Sequence, residues 1–175
     1  MVPAKFTPND QRDRGLDRFK RSSLNDSVNS RYPKVKVRNL QRSVRIHAAD
    51  LARFANKAVR ICFQLPRLGL TDLQNTREVS VLIVSDRRME SLHRQFLNET
   101  GPTDVLTFQH GEIFISAETA RRNARSFGNS LKRELCLYVV HGLLHLHGFD
   151  DRNAAGKRTM ARVQTRVLAQ ASGLN

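Results

Sequence analysis

The sequence predicts an α+β fold, and three observations carry that expectation. Short runs rich in β-branched residues, Glu78–Val84 foremost, are interspersed with longer segments whose apolar residues recur at helical spacing. Two strand-like runs, 104–109 and 112–116, are separated only by His110 and Gly111, a link too short for a helical crossover, so they pair through a tight turn. At 175 residues the chain is long enough to bury one real hydrophobic core.

Residues 1–33 are poor in apolar side chains and carry Ser22, Ser23, Asn25, Ser27, Asn29 and Ser30 near their end, so they read as a basic, disordered N-terminal extension. The domain itself is expected over 34–175. Its first strand begins at Lys34, where Val35 and Val37 alternate with Lys36 and Arg38. Residues 48–64 form an amphipathic helix through Leu51, Phe54, Ala55, Ala58, Ile61 and Cys62, until Pro66, Gly69 and Thr71 break it. After the Glu78–Val84 strand, Ser85 caps a helix over Asp86–Leu97 with Met89, Leu92, Phe96 and Leu97 as its buried stripe, and His93 reads as a surface or capping residue.

Beyond the paired strands, Ser116 opens a helix that stops at Gly128; its Arg121, Arg122 and Arg125 form either a phosphate-binding ridge or a solvated face. Ser130 caps the next helix, Leu131–Leu146, which is apolar over most of its circumference and therefore central. A last helix spans 154–171, giving about five in all.

The central helix carries the chemistry. His141 and His145 are four residues apart, which leaves their side chains about 40° apart around a helix and makes them a chelating pair. Gly148 is suited to the left-handed conformation that ends a helix, so Asp150 and Asp151 can return toward the histidine face. Two imidazoles, one carboxylate and a vacant position make a ligand set used by catalytic zinc. The competing reading of such a pair is surface or hydrogen-bonded core histidine, but in so apolar a helix an unpaired imidazole costs roughly 1–3 kcal/mol. Glu134 lies two turns earlier on nearly the same face, either orienting a ligand or pairing with Lys132 or Arg133 in solvent. His147 falls on the other side and reads as a packed or capping residue.

The formal charge is +14, from 30 Lys and Arg against 16 Asp and Glu, which favours a polyanionic partner and salt-sensitive phosphate contacts. RNA is the natural one. No run of 18 apolar residues exists, so no helical segment is expected to span a membrane. Cys62 and Cys136 lie far apart in apolar helical contexts, as reduced thiols do in a cytoplasmic protein.

The segment His141-Gly142-Leu143-Leu144-His145-Leu146-His147-Gly148-Phe149-Asp150-Asp151 resembles the HGxLHLxGYDH signature of the YbeY family of metal-dependent endoribonucleases. Residues 101–108, GPTDVLTF, resemble the family's PTDVLSF segment, and residues 111–116, GEIFIS, its GDIxIS. The likeness runs from about Val35 to Leu168. It implies a small mixed four-stranded sheet packed with helices, a zincin-like metal-site helix, one zinc ion or another divalent metal, and single-stranded RNA as substrate. It also implies a role in maturing the 3′ end of small-subunit ribosomal RNA and in ribosome quality control. On this resemblance His141, His145 and Asp151 are the expected ligands and catalytic centre. Asp150 is a supporting or alternative ligand, and Thr103, Asp104 and Arg94 are candidates for the cleft.

Two departures stand out. The family's last histidine falls on Asp151, making this chain a variant with Asp at the third ligand position, and an Arg that many members carry falls at about Leu97. Either another cation, Arg94 or Arg88, replaces it, or the protein is slower than such relatives. A zinc metalloprotease is the main rival enzyme, but such proteases place Glu directly after the first histidine, where this chain has Gly142. A non-catalytic ribosome-assembly protein with a structural metal is the rival from outside the enzymes.

Overall fold

The computed structural model describes residues 31–66 and 69–173, so the expectation for the extension lies almost wholly outside the described residues. The strands are β1 (Lys34–Asn39), β2 (Glu78–Val84), β3 (Val105–Phe108) and β4 (Glu112–Ser116). The helices are α1 (Ala48–Cys62), α2 (Asp72–Asn75), α3 (Asp86–Leu97), α4 (Ala117–Ser126), α5 (Leu131–Leu146) and α6 (Ala154–Ser172). The result is an α+β domain around one mixed sheet, ordered β1-β2-β4-β3. β2 pairs in parallel with both β1 and β4, and β3 returns antiparallel to β4 through the expected tight turn. β2 is central and covered on both faces, which is why its sequence is an almost unbroken apolar run and not an alternation.

The short α2 was not legible in the sequence. It begins at Thr71, among the residues read as a helix break, and its Leu73 is fully buried. α1, α5 and α6 pack together over one face of the sheet, around a core that includes Val59, Ile113, Leu143, Leu144 and Val167. α3 covers the other face with Met89 and Leu92 against Val84 and Leu106. α5 approaches β4 unusually closely at Gly142: a Cβ there would lie 2.8 Å from two carbons of Ile113. No helix among the described residues is long and apolar enough to cross a membrane.

Several side chains differ from expectation. Glu134 is 1% exposed, and its carboxylate accepts from Asn129 Nδ2 at 2.6 Å, so it neither reaches the histidines nor pairs in solvent. His93 is also buried, because α3 lies flat on the sheet; its Nδ1 meets the Gly101 carbonyl at 2.9 Å and its Nε2 meets Glu99 at 3.0 Å, tying down the loop into β3. Arg122 pairs with Asp86 at 2.6 Å, joining α4 to α3. Both cysteines are free and buried, and burial pushes the Cys62 thiol up to about 12.

Candidate metal centre

α5 ends where the site begins. His147 occupies the C-cap, Gly148 follows at φ +93°, and the Gly148 and Phe149 amides donate back to the carbonyls of His145 and Leu144. His147 is itself buried and stacks on Phe149, with ring centroids 6.0 Å apart. The reversal carries residues 149–153 back along the helix end, and Asn153 then caps α6 by accepting from the Gly156 amide at 2.8 Å. Gly156 leaves no room for a side chain, since a Cβ there would sit 2.3 Å from the Asp150 carbonyl oxygen. The loop is thus held between the end of one helix and the start of the next.

This arrangement brings His141, His145 and Asp151 together, with one candidate donor atom from each within 4.8 Å of the others. The two Nε2 atoms are 3.0 Å apart, and the Asp151 carboxylate lies 3.9 Å from His141 Nε2 and 3.7 Å from His145 Nε2. Each imidazole is oriented from behind. His145 Nδ1 donates to the Phe149 carbonyl at 3.1 Å, and His141 Nδ1 to Gln164 Oε1 at 3.2 Å. With the proton on Nδ1, the lone pair of each ring lies on Nε2 and faces its neighbour. Burial first, and then the adjacent His141, hold the His145 imidazole below its ordinary range, against the pull of Asp151 and of the Phe149 carbonyl.

Two lone pairs aimed at each other beside a carboxylate make a donor set that a divalent cation satisfies. Nitrogens about 2.05 Å from a tetrahedral cation stand roughly 3.3 Å apart, close to the spacing here. The donor set therefore fits a divalent metal.

Asp150 is not part of the group. Its carboxylate turns outward to accept from the Arg152 amide at 3.0 Å and from Arg152 Nε at 2.5 Å, and these bonds hold its pKa below the usual carboxylate range. Thr103 and Asp104 form the turn into β3, where Asp104 Oδ1 accepts from the Val105 amide at 2.9 Å. Arg94 is ion-paired with Glu90 at 2.9 Å on the exposed side of α3. The cleft beside the histidines, about 350 Å³, is lined instead by Asp72, Leu97, Val105, Thr107 and Gln109, together with Leu106 and Leu146. Of these, Val105 and Thr107 could have been inferred from strand alternation once β3 was placed beside α5. Asp72 and Gln164 carried no local signal.

Comparison with known proteins agrees with the fold. A family described as Endoribonuclease YbeY matches residues 36–172. The Endoribonuclease YbeY of Anaeromyxobacter dehalogenans is 40% identical over 136 residues, covering 71% of this chain and 68% of that protein. That of Thermus thermophilus is 37% identical over 117 residues, covering 60% and 81%. A solution structure from Thermotoga maritima superposes with a TM-score of 0.55 at 26% identity, covering 79% of this chain and 89% of the other. With the match spanning nearly the whole described domain, the chain belongs to the endoribonuclease YbeY family.

Proposed function

We propose that this protein is a metal-dependent endoribonuclease that cuts single-stranded RNA, with His141, His145 and Asp151 as the ligands of one zinc ion. The observation that carries the reading is the pair of imidazole Nε2 atoms 3.0 Å apart beside a carboxylate, in the wall of an open cleft. When bound, zinc supplies Lewis acidity to a phosphoryl oxygen and makes water a better nucleophile near neutral pH. The chain's own residues do the rest. Gln164 and the Phe149 carbonyl fix the imidazole tautomers, Asp151 lowers the net charge of the centre by one relative to a third histidine, and Leu97, Val105 and Leu146 give the cleft beside the histidines an apolar lining. Asp72 is the one carboxylate among the described lining residues of the cleft outside the ligand group. An oxygen ligand in the third position also suits Mn²⁺, so manganese is expected to restore part of the activity of stripped protein.

Gly142 argues against the protease alternative more strongly than its identity alone. A glutamate at that position would drive its Cβ into Ile113 and would sit between helix and sheet, away from the cleft. The RNA is ribosomal, on this reading, and the enzyme works in the cytoplasm on the 3′ end of small-subunit RNA. Supporting that reading are the family membership, the +14 charge and two buried reduced thiols.

The test is cleavage of a labelled single-stranded RNA by purified protein before and after chelation and on re-addition of zinc, alongside His141→Ala. Cleavage should vanish with chelator, return with metal, and fall at least about a hundredfold in the variant while its circular dichroism is unchanged. Cleavage that persists under complete chelation would overturn the metal mechanism, and a variant that unfolds in step with metal loss would point to a structural ion.

A further inference from the structure

At the end of α5 remote from His145, two hollows of about 460 and 230 Å³ adjoin, sharing Asp50 and Lys132 as lining residues. Their floor is mostly apolar, with Phe54 and Leu51 of α1, Leu135 of α5 and Leu168 of α6 among the residues that form it. Their walls are cationic. Arg45 precedes α1, Arg53 and Lys57 stand on successive turns of it, and Lys132 and Arg133 occupy the first turn of α5. Asp50 is the one carboxylate among the described lining residues, and it is already ion-paired with Arg53. Five cations against one anion leave an excess of four positive charges along one trough, to which the positive end of the α5 dipole adds. Crowded like charges repel one another, and a bound polyanion relieves that repulsion while releasing its own counterions.

We infer that this trough is a second RNA-contact surface, which holds the phosphate backbone of a strand whose scissile bond lies in the metal cleft. The inference rests on the reading that the substrate is RNA, and it adds where a long substrate is gripped. Lys132 and His141 are nine positions apart, about 13 Å along the axis of one rigid helix but on opposite faces of it, so a strand held at both sites must run over the domain surface from one face to the other, a path longer than the axial distance. Cations drawn from three separate segments border the trough along its length, which suits a polymer with a charge at every repeat better than it suits isolated carboxylates. A floor with few hydrogen-bonding groups cannot read base edges, so the grip is indifferent to sequence.

The experiment uses the full chain in chelator, so that nothing is cleaved, and fluorescein-labelled oligouridylates of 6 and 24 nucleotides titrated by anisotropy at several salt concentrations. The variants are the double substitution Lys132→Glu with Arg133→Glu and, on a different helix, Lys57→Glu. Acidic residues in the first turn of a helix are favourable, so the double variant should fold, with a melting temperature close to the parent's. For the 24-mer its affinity should drop at least tenfold, and the slope of log affinity against log salt should become shallower by about 1.4, two phosphate contacts at about 0.7 each. Lys57→Glu should flatten the slope by about half as much. Binding of the 6-mer, and its cleavage once zinc is restored, should stay at the parent's level. Unchanged 24-mer affinity and slope in both variants would overturn the proposal, as would equal losses for the 6-mer and 24-mer. Displacement of an acidic polypeptide by these substitutions with RNA binding untouched would overturn it too, in favour of a protein partner. Parent protein that binds the 24-mer through Lys132 and Arg133 yet cleaves nothing with metal would sink the nuclease reading and leave the trough standing as an RNA-contact surface alone.

Discussion

Gln164 determines which nitrogen of His141 faces the cleft, because its Oε1 accepts the Nδ1 proton from behind. Replacing it with Leu removes that acceptor without changing the volume greatly. Zinc affinity should then fall about 10- to 100-fold, measured by competition with a chromogenic chelator, while the metal-free melting temperature stays within a few degrees. Unchanged affinity would mean that Gln164 does not orient the ring. Leu97 lines the same cleft, half exposed, where many relatives are expected to carry Arg. Leu97→Arg should raise kcat/KM on single-stranded RNA about tenfold, the equivalent of one charge-assisted contact to a phosphate of about 1.4 kcal/mol; no gain would place the scissile phosphate elsewhere. At this scale the histidine pair was legible because helical spacing alone sets it. Choosing between Asp150 and Asp151 took more, since the turn sends one carboxylate to Arg152 and the other to the histidines. Gln164 is 23 residues from the ring it orients, so nothing local announced it.

Elements meet at two joints that set the cleft's shape. At the first, α5 rests on β4 through Gly142, and Gly142→Ala should overpack Ile113 at a cost of about 1–3 kcal/mol, lowering the melting temperature by roughly 2–12 °C. Adding Ile113→Val should recover part of the loss, and a double variant no more stable than the single one would show that the contact is not the cause. At the second joint, Asp86 in the first turn of α3 accepts from Ser116 and Thr119 at the start of α4 and from Arg122. Burial raises the Asp86 pKa, but those hydrogen bonds and the Arg122 charge outweigh it and hold the group below the usual carboxylate range. A depressed folded pKa stabilises the protein above the unfolded value of about 3.9, and that contribution is lost as pH falls through the folded value. Asp86→Asn should therefore lower the melting temperature at pH 6 and reduce its steepness below about pH 4. Parallel melting curves from pH 6 to 2 would exclude Asp86 as the titrating group. Helices and strands were legible here because their apolar period is local, as Glu78–Val84 and Leu131–Leu146 show. The burial of Glu134 and His93 was not, since it depends on which neighbouring element covers each face.

For the molecule as a whole, the question is whether the metal holds the fold or only works in it. The core runs through α1, α5, α6 and the sheet, whereas the donor atoms sit at the solvent end of α5 and in the loop after it. The order β1-β2-β4-β3, which no periodicity revealed because its partners are distant in sequence, seats α5 against β4 through Ile113 and Gly142 without help from the site. Metal should therefore add only its binding linkage, about 2.7 kcal/mol at a concentration a hundred times its dissociation constant. For a chain of this size that is a shift of roughly 5–11 °C. Chelated protein should melt lower by that amount yet still unfold in one cooperative transition, with unchanged far-ultraviolet circular dichroism at 25 °C. Loss of the cooperative transition on chelation would make the ion part of the scaffold, and the position of Asp151 in a partly exposed, doubly clamped loop would then need a structural explanation in place of a catalytic one.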